Sequence, residues 1–266
     1  MRLAALAALA SSVSAVLLSP SPNALFSTVM LTPHQNGDTT SIGEQLRRGD
    51  CVLEVPSAAS KAECNLLMDI GSSMAAQAEQ QRSRRGLDTK GLVRLPTAAA
   101  GLRMDAPPQL MLAGPADDVC SALFQRVIHF IDENLPSVVD DLFGSDCTIT
   151  ALHEAGELEF ACREPAVNIY TEGGEFLAHE DHQAITVLIS LAEPESFGGG
   201  GTGFWAAGAR GHRVEGPSMT LRPAAGTALL FGGHVTHAGM PVETGVRGVF
   251  VASFSRVATA STVLST

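Results

Sequence analysis

The chain has 266 residues, 45% of them hydrophobic, and a formal net charge of −11, which suits one good-sized domain or two small ones around a buried core and excludes a mostly disordered chain. That acidity excludes a general nucleic-acid-binding surface, because such binding relies on basic residues that release counterions; any anion bound here must meet a local, buried cation. Cys51, Cys64, Cys120, Cys147 and Cys162 form no CxxC pair and no zinc-ribbon spacing, so structural zinc is not expected and no disulfide pairing follows from sequence.

Residues 1–30 are rich in Ala, Leu and Ser, with Arg2 as the only charge and no acid before Asp38. An apolar run over 3–18, broken by Pro20 and Pro22, reads as a secretory signal; an organelle transit peptide is the alternative and an uncleaved membrane anchor a third reading. The expected organisation is a targeting segment and polar leader at 1–40, a single domain at 41–258 and a tail at 259–266. The expected destination is the secretory pathway, either the lumen of the endoplasmic reticulum or the exterior.

After a polar stretch around 33–50, Cys51-Val52-Leu53-Glu54-Val55 predicts a short strand. The capping box Ser60-Lys61-Ala62-Glu63 predicts a helix start, with Leu66, Leu67, Ile70 and Met74 forming an apolar face packed on a sheet. Residues 80–85 give that helix a polar, basic finish and Gly86 a stop. Residues 91–114, with Pro96, Pro107, Pro108 and no clear period, read as a loop region. A second helix is expected from Asp117 or Asp118 to about Leu135, burying Val119, Leu123, Val127, Ile128 and Ile131.

From Ala166 onward, short runs of Val, Ile, Thr and Phe between glycine turns indicate antiparallel strands of a sandwich or barrel. The period of two is clearest at 184–191, where Ile185, Val187, Ile189 and Leu191 share a face; further strands are expected at 202–206, 219–222, 227–231 and 246–254. Helices followed by strands indicate an α+β fold in which helices buttress one β-sandwich.

The chemistry is concentrated in this second half. In an extended segment His179 and Asp181 point to the same side, so one strand end offers an imidazole and a carboxylate to one ion, while Glu180 faces away. Two imidazoles and a carboxylate hold one face of an iron(II) ion and leave the other open. His237 and His234 compete for the third position; His237 has the better context, following the strand Ala228-Leu229-Leu230-Phe231 and preceding Gly239, Pro241, Gly245 and Arg247. His182 and His212 read as solvated or supporting residues. Arg247 shares a strand face with Val249 and Val251, and a guanidinium directed into an apolar interior needs a carboxylate partner. A dicarboxylate co-substrate would supply one in bidentate geometry; an internal Glu or Asp is the alternative.

The order Tyr170, His179, Asp181, His237, Arg247 resembles the iron(II)/2-oxoglutarate-dependent dioxygenases, most closely their prolyl 4-hydroxylase-like branch. The matching motifs run from Asn168-Ile169-Tyr170-Thr171-Glu172-Gly173-Gly174 through Phe176-Leu177-Ala178-His179-Glu180-Asp181 and Phe197-Gly198-Gly199-Gly200-Gly201-Thr202. They continue through Gly226-Thr227-Ala228-Leu229-Leu230-Phe231 to His237-Ala238-Gly239-Met240-Pro241-Val242 and Gly245-Val246-Arg247.

This resemblance implies a double-stranded β-helix (jelly-roll) core at about 150–256. It implies His179, Asp181 and His237 as ligands of Fe(II), and Arg247 as the residue binding the distal carboxylate of 2-oxoglutarate. Tyr170 would line the co-substrate pocket, with Thr186 and Thr202 as further pocket residues. It also implies 2-oxoglutarate and O2 as co-substrates, L-ascorbate as reductant, and hydroxylation of a C–H bond. The implied substrate is a prolyl residue in a peptide or protein, with a free amino acid or small metabolite as the alternative. A non-catalytic metal-binding jelly roll is the other rival. No nucleic-acid partner is expected, and a membrane only if the leader stays uncleaved. Two departures stand out: Arg247 occupies a place where collagen-type enzymes carry lysine, and Phe176 stands where plant-like enzymes carry a substrate-contacting tyrosine. Trp205 is expected to pack structurally, or else to shape the pocket mouth.

Overall fold

Strand residues alternate between the two faces of a sheet, and in this chain both faces of the largest sheet are apolar and covered. The computed structural model describes residues 25–32, 39–84, 91–100, 111–206 and 216–258. Its first half comprises β1 (Ser27–Met30), α1 (Ile42–Arg48), β2 (Cys51–Val55), α2 (Lys61–Arg84), β3 (Leu92–Pro96), α3 (Pro115–Asn134), α4 (Pro136–Leu142) and α5 (Ile149–Glu154). Among the described residues the regular elements of the second half are strands apart from one 3-10 turn: β4 (Leu158–Phe160), β5 (Ala166–Tyr170), β6 (Phe176–His179), β7 (Ile185–Ser190), β8 (Phe197–Gly199) and β9 (Thr202–Phe204). It ends with β10 (Met219–Leu221), β11 (Ala228–Gly232), β12 (His237–Gly239), β13 (Val242–Gly245) and β14 (Arg247–Arg256).

The large sheet runs β1-β2-β11-β7-β14-β5-β3, with β4 beside the far end of β14; every pairing in it is antiparallel. A smaller sheet runs β10-β9-β12-β6, and β13 pairs with β8. On the outer face of the large sheet, Ile185, Val187, Ile189, Leu230 and Phe250 join Leu67 of α2 and Leu123, Ile128 and Ile131 of α3 in one core. On the inner face, Leu188, Leu229, Phe231, Val249 and Val251 meet Phe204 of the smaller sheet, whose ring sits edge-on to Phe231 at 5.2 Å. Two antiparallel sheets face to face, with helices outside, make a jelly-roll core of an α+β fold.

The sequence-predicted start of α2 is built as a reciprocal cap: Ser60 N–H donates to Glu63 Oε2 at 2.7 Å and Glu63 N–H donates to Ser60 Oγ at 3.3 Å. Arg126 of α3 also binds Glu63, and chiefly for that reason the Glu63 carboxyl is held down at about 2. The buried face of α2 differs from expectation. It consists of Cys64, Leu67, Gly71, Ala75 and Ala78, while Leu66, Ile70 and Met74 are half-buried. Close approach is the reason: a Cβ at Gly71 would stand 2.7 Å from Ile169 Cδ1 of β5, so the helix seats itself on small residues.

Other expectations need correction. Residues 92–96, read as loop, form β3, because a proline is tolerated at the end of an edge strand. Within the polar stretch at 33–50, for which no element was predicted, residues 42–48 form α1, which Ser41 caps by accepting from Glu44 N–H and Gly49 closes in a left-handed turn. The leader was expected to reach residue 40, yet Ser27–Met30 pairs with β2 and buries Val29. Residues 1–24, most of the expected targeting segment, lie outside the described residues, as do Gly86, His212 and the tail at 259–266. Among the described residues no helix is long and apolar enough to cross a membrane. All five cysteines are free.

Candidate metal centre

His179 ends β6 and His237 begins β12, and the two strands pair so that these histidines stand directly opposite each other. Cross-strand neighbours of an antiparallel pair approach closely, and the ring centroids are 4.3 Å apart. Asp181, two residues past His179, lies between them. Its Oδ1 is 3.3 Å from His179 Nε2 and its Oδ2 is 3.5 Å from His237 Nε2.

The backbone decides which ring nitrogen faces inward. His179 Nδ1 is 2.8 Å from the carbonyl of Leu177, and His237 Nδ1 is 3.0 Å from that of Val235, each two residues upstream. A carbonyl only accepts, so each Nδ1 carries the proton and each Nε2 turns a lone pair toward Asp181. Three electron-pair donors thus converge with no hydrogen-bond donor between them in the neutral state. A divalent cation satisfies all three; cis positions around an ion with bonds of roughly 2.1 Å are about 3 Å apart, close to the distances found. The donor set therefore fits iron(II).

The titration behaviour follows the same geometry. Burial raises the Asp181 carboxyl, but His179, His237 and Thr186 outweigh it and hold the group well below the usual carboxylate range. Burial lowers His179, and the adjacent Asp181 more than offsets this, leaving its pKa raised. His237 is buried more deeply, and its pKa is lowered by desolvation.

These groups border a cavity between the sheets. Arg247 lies at the same cavity, only 5% exposed, opposite Tyr170 in the β14–β5 register. Its guanidinium carbon is 5.0 Å from the centre of the Tyr170 ring, and its Nη2 donates to Thr202 Oγ1 at 2.9 Å. Nη1 is buried with no hydrogen-bond partner. Among the described residues no carboxylate pairs with Arg247, so the alternative of an internal acid does not apply there. Desolvation lowers its pKa, the expected response of a cation stripped of water without a counter-ion. The glycine run beside it is needed: Gly199, Gly200 and Gly201 all have positive φ, and a Cβ at Gly200 would meet the Phe197 ring at 2.8 Å and Arg247 Cδ at 3.4 Å.

Thr202 and Tyr170 line the cavity, and Phe176 lines it with its ring 4.5 Å from that of His179. Thr186 does not line it, a correction with a clear cause: fully buried on β7, it donates to Asp181 Oδ2 at 2.6 Å from behind the carboxylate. It also reaches Ser253 Oγ at 3.2 Å. Trp205 is buried and apart from the cavity lining. His234 faces away from the triad.

Sequence reasoning missed a second polar wall. Arg94 of β3 donates from Nε to Asn168 Oδ1 at 3.0 Å and pairs with the buried Glu164 at 3.2 Å, its guanidinium 5.3 Å from the Phe176 ring centre. Glu164 in turn accepts from Ser253 N–H at 2.7 Å. Burial raises the Glu164 pKa, with Arg94 pulling the other way. An arginine at the middle of the alternating run Leu92-Val93-Arg94-Leu95-Pro96 was the available signal; Glu164 had none.

No family model matches the chain, and no curated protein does. Among solved structures it is similar to the viral collagen prolyl hydroxylase of Paramecium bursaria Chlorella virus-1, in its 2-oxoglutarate complex, at 15% identity and TM-score 0.46 over 78% of this chain and 96% of that one. It is similar to an oxidoreductase of the 2OG-Fe(II) oxygenase family from Burkholderia pseudomallei at 19% identity and TM-score 0.47, covering 85% and 98% of the two chains. A prolyl-4-hydroxylase of Pseudomonas putida gives 14% identity and TM-score 0.43, covering 82% and 98%. The likeness is to 2-oxoglutarate, iron(II) oxygenases, prolyl hydroxylases among them. With fewer than one residue in five shared, the roles of individual side chains come from the geometry above.

Thr186 gives a first test of that geometry. Thr186→Val keeps the shape and removes the bond to Asp181, and loss of such an outer partner costs roughly 10- to 100-fold in metal affinity. Titration with Fe(II) or Co(II) should show that weakening with the fold intact; unchanged affinity would mean the hydroxyl does not orient the carboxylate.

Proposed function

We propose that this chain is an iron(II)- and 2-oxoglutarate-dependent dioxygenase that hydroxylates a C–H bond, with a prolyl residue of a peptide or protein as its substrate. The single observation carrying this reading is the buried, partnerless Nη1 of Arg247 in the same cavity as the His179, Asp181 and His237 donors. A zinc hydrolase built on the same three donors would leave that guanidinium without a role.

Within this reading, His179, Asp181 and His237 hold iron(II) on one face. Iron(II), when bound, supplies the oxygen-activating chemistry that couples decarboxylation of 2-oxoglutarate to succinate with hydroxylation of the substrate. Arg247 binds the far carboxylate of 2-oxoglutarate, using Nη1 and the fixed donor geometry of its fork. Thr202 and the Tyr170 ring hold the guanidinium in place. Leu188, Val249 and Val251 keep that part of the cavity dry. Arg94, Asn168 and Phe176 face the substrate. The prolyl assignment rests on the motif resemblance, as do L-ascorbate as reductant and, through the leader, a setting in the secretory pathway.

The test supplies Fe(II), 2-oxoglutarate, ascorbate and oxygen, with panels of proline-containing peptides, free amino acids and small metabolites. Succinate release accompanied by addition of one oxygen atom to a peptide is expected. Hydroxylation confined to small metabolites would overturn the prolyl assignment, and iron uptake without succinate from any panel would overturn the enzymatic reading itself.

A further inference from the structure

We propose that Glu180, His182 and His234 form a second, exterior site for a divalent transition metal of the zinc class, back to back with the interior centre. The inference does not depend on the proposed oxygenase activity. Extended backbone past the end of β6 sends His179 and Asp181 inward and Glu180 outward, and His182, in a left-handed conformation with φ 57°, stands exposed beside Glu180. The turn before β12 repeats the division, with His237 inside and His234 outside. The outer three residues each offer a donor atom, all within 4.8 Å of one another, as the inner three do.

The outer group is held together by its surroundings. Glu180 Oε1 accepts from Thr236 Oγ1 at 3.2 Å, which leaves Oε2 directed at His182 Nδ1, 3.6 Å away. The His182 and His234 ring centroids are 6.0 Å apart. His182 N–H donates to the Gly233 carbonyl at 2.9 Å, tying the two segments together. Gly233 leaves no room for adjustment, since a Cβ there would fall 1.9 Å from the Gln183 carbonyl oxygen. A tetrahedral ion with bonds of roughly 2.1 Å needs donors about 3.4 Å apart. The Glu180–His182 pair meets that spacing, and rotation of the exposed rings brings in His234. Two imidazoles with one carboxylate select zinc, copper, nickel or cobalt over calcium or magnesium, and exposure leaves the fourth position to water. A metal there would clamp the strand end carrying Asp181 to the turn carrying His237.

Titration of the chelator-stripped full chain with Zn(II), followed calorimetrically, tests this. Two equivalents are expected for the native chain. His182→Asn, which tolerates the positive φ of that position, and His234→Ala should each weaken one equivalent at least ~10-fold. That equivalent should persist in Asp181→Ala and weaken to the same extent when His234→Ala is added. A native chain that takes up a single equivalent at ~100 µM zinc, or a second equivalent that survives in the His182→Asn, His234→Ala double variant, would overturn the exterior site. Loss of the other equivalent in Asp181→Ala reports on the interior centre alone, so the two assignments fail separately.

Discussion

Asp181→Ala is expected to abolish iron-dependent succinate formation, leaving no more than the chelator-treated native chain produces. The carboxylate is the only anion in the interior donor set, and it stands between the two imidazoles at 3.3 and 3.5 Å. Removing an outer partner of a metal ligand costs roughly 10- to 100-fold in affinity, and removing the charged ligand itself should cost more. The substitution also costs some stability, because buried Thr186 loses the acceptor of its 2.6 Å hydrogen bond and the carboxylate is favoured by its neighbours in the fold. Circular dichroism should still show the native fold in the absence of metal, with a lowered melting temperature, while Fe(II) binding is lost. Normal turnover by this variant would sink the interior assignment.

Arg247→Met should produce two effects of opposite sign. Hydrogen bonds to charged groups contribute about 1.5–3 kcal/mol, so the 2-oxoglutarate concentration for half-maximal turnover should rise roughly 10- to 150-fold. The maximal rate at saturating co-substrate should change far less. In the absence of 2-oxoglutarate the same variant should be as stable as the native chain or more so. A buried cation whose Nη1 lacks any partner is an uncompensated desolvation cost, and an apolar replacement of similar length removes it. The native chain should then gain thermal stability when 2-oxoglutarate is added with metal, and the variant should not. An unchanged co-substrate requirement, or a collapse of the unliganded fold, would contradict the role given to Arg247.

The parts of this fold legible in the sequence were those where periodicity and burial coincide. The alternation at 184–191 marks β7, and the capping box at Ser60 and Glu63 marks the start of α2. The pair His179 and Asp181 was legible because extended backbone puts both on one side, and Arg247 because its strand neighbours are apolar. The third histidine was not separable by spacing: His234 and His237 lie on opposite sides of the strand end, and only the pairing of β12 with β6 decides which one meets His179. Short elements were the least visible. In α1 a single large side chain, Leu46, is buried, too little to impose a helical period. The strand β3 carries Arg94 at its centre and Pro96 at its end, features that argue against a strand until its edge position is known. Thr186 was assigned to the pocket because sequence gives its strand but not which neighbour its hydroxyl meets.

The two imidazoles are aimed by main-chain carbonyls of Leu177 and Val235, whereas the carboxylate is held by the hydroxyl of Thr186, which also meets Ser253 Oγ; the Ser253 backbone N–H in turn donates to Glu164, the partner of Arg94. Changes in the chamber wall therefore reach the centre at two points: along this relay to the carboxylate, and through the Phe176 ring, 4.5 Å from that of His179. Replacing Arg94, Glu164 or Asn168, whose Oδ1 accepts from Arg94, would disturb the acid, and replacing Phe176 would disturb one imidazole. A chain of this design therefore retunes its selectivity most safely at wall positions that touch neither.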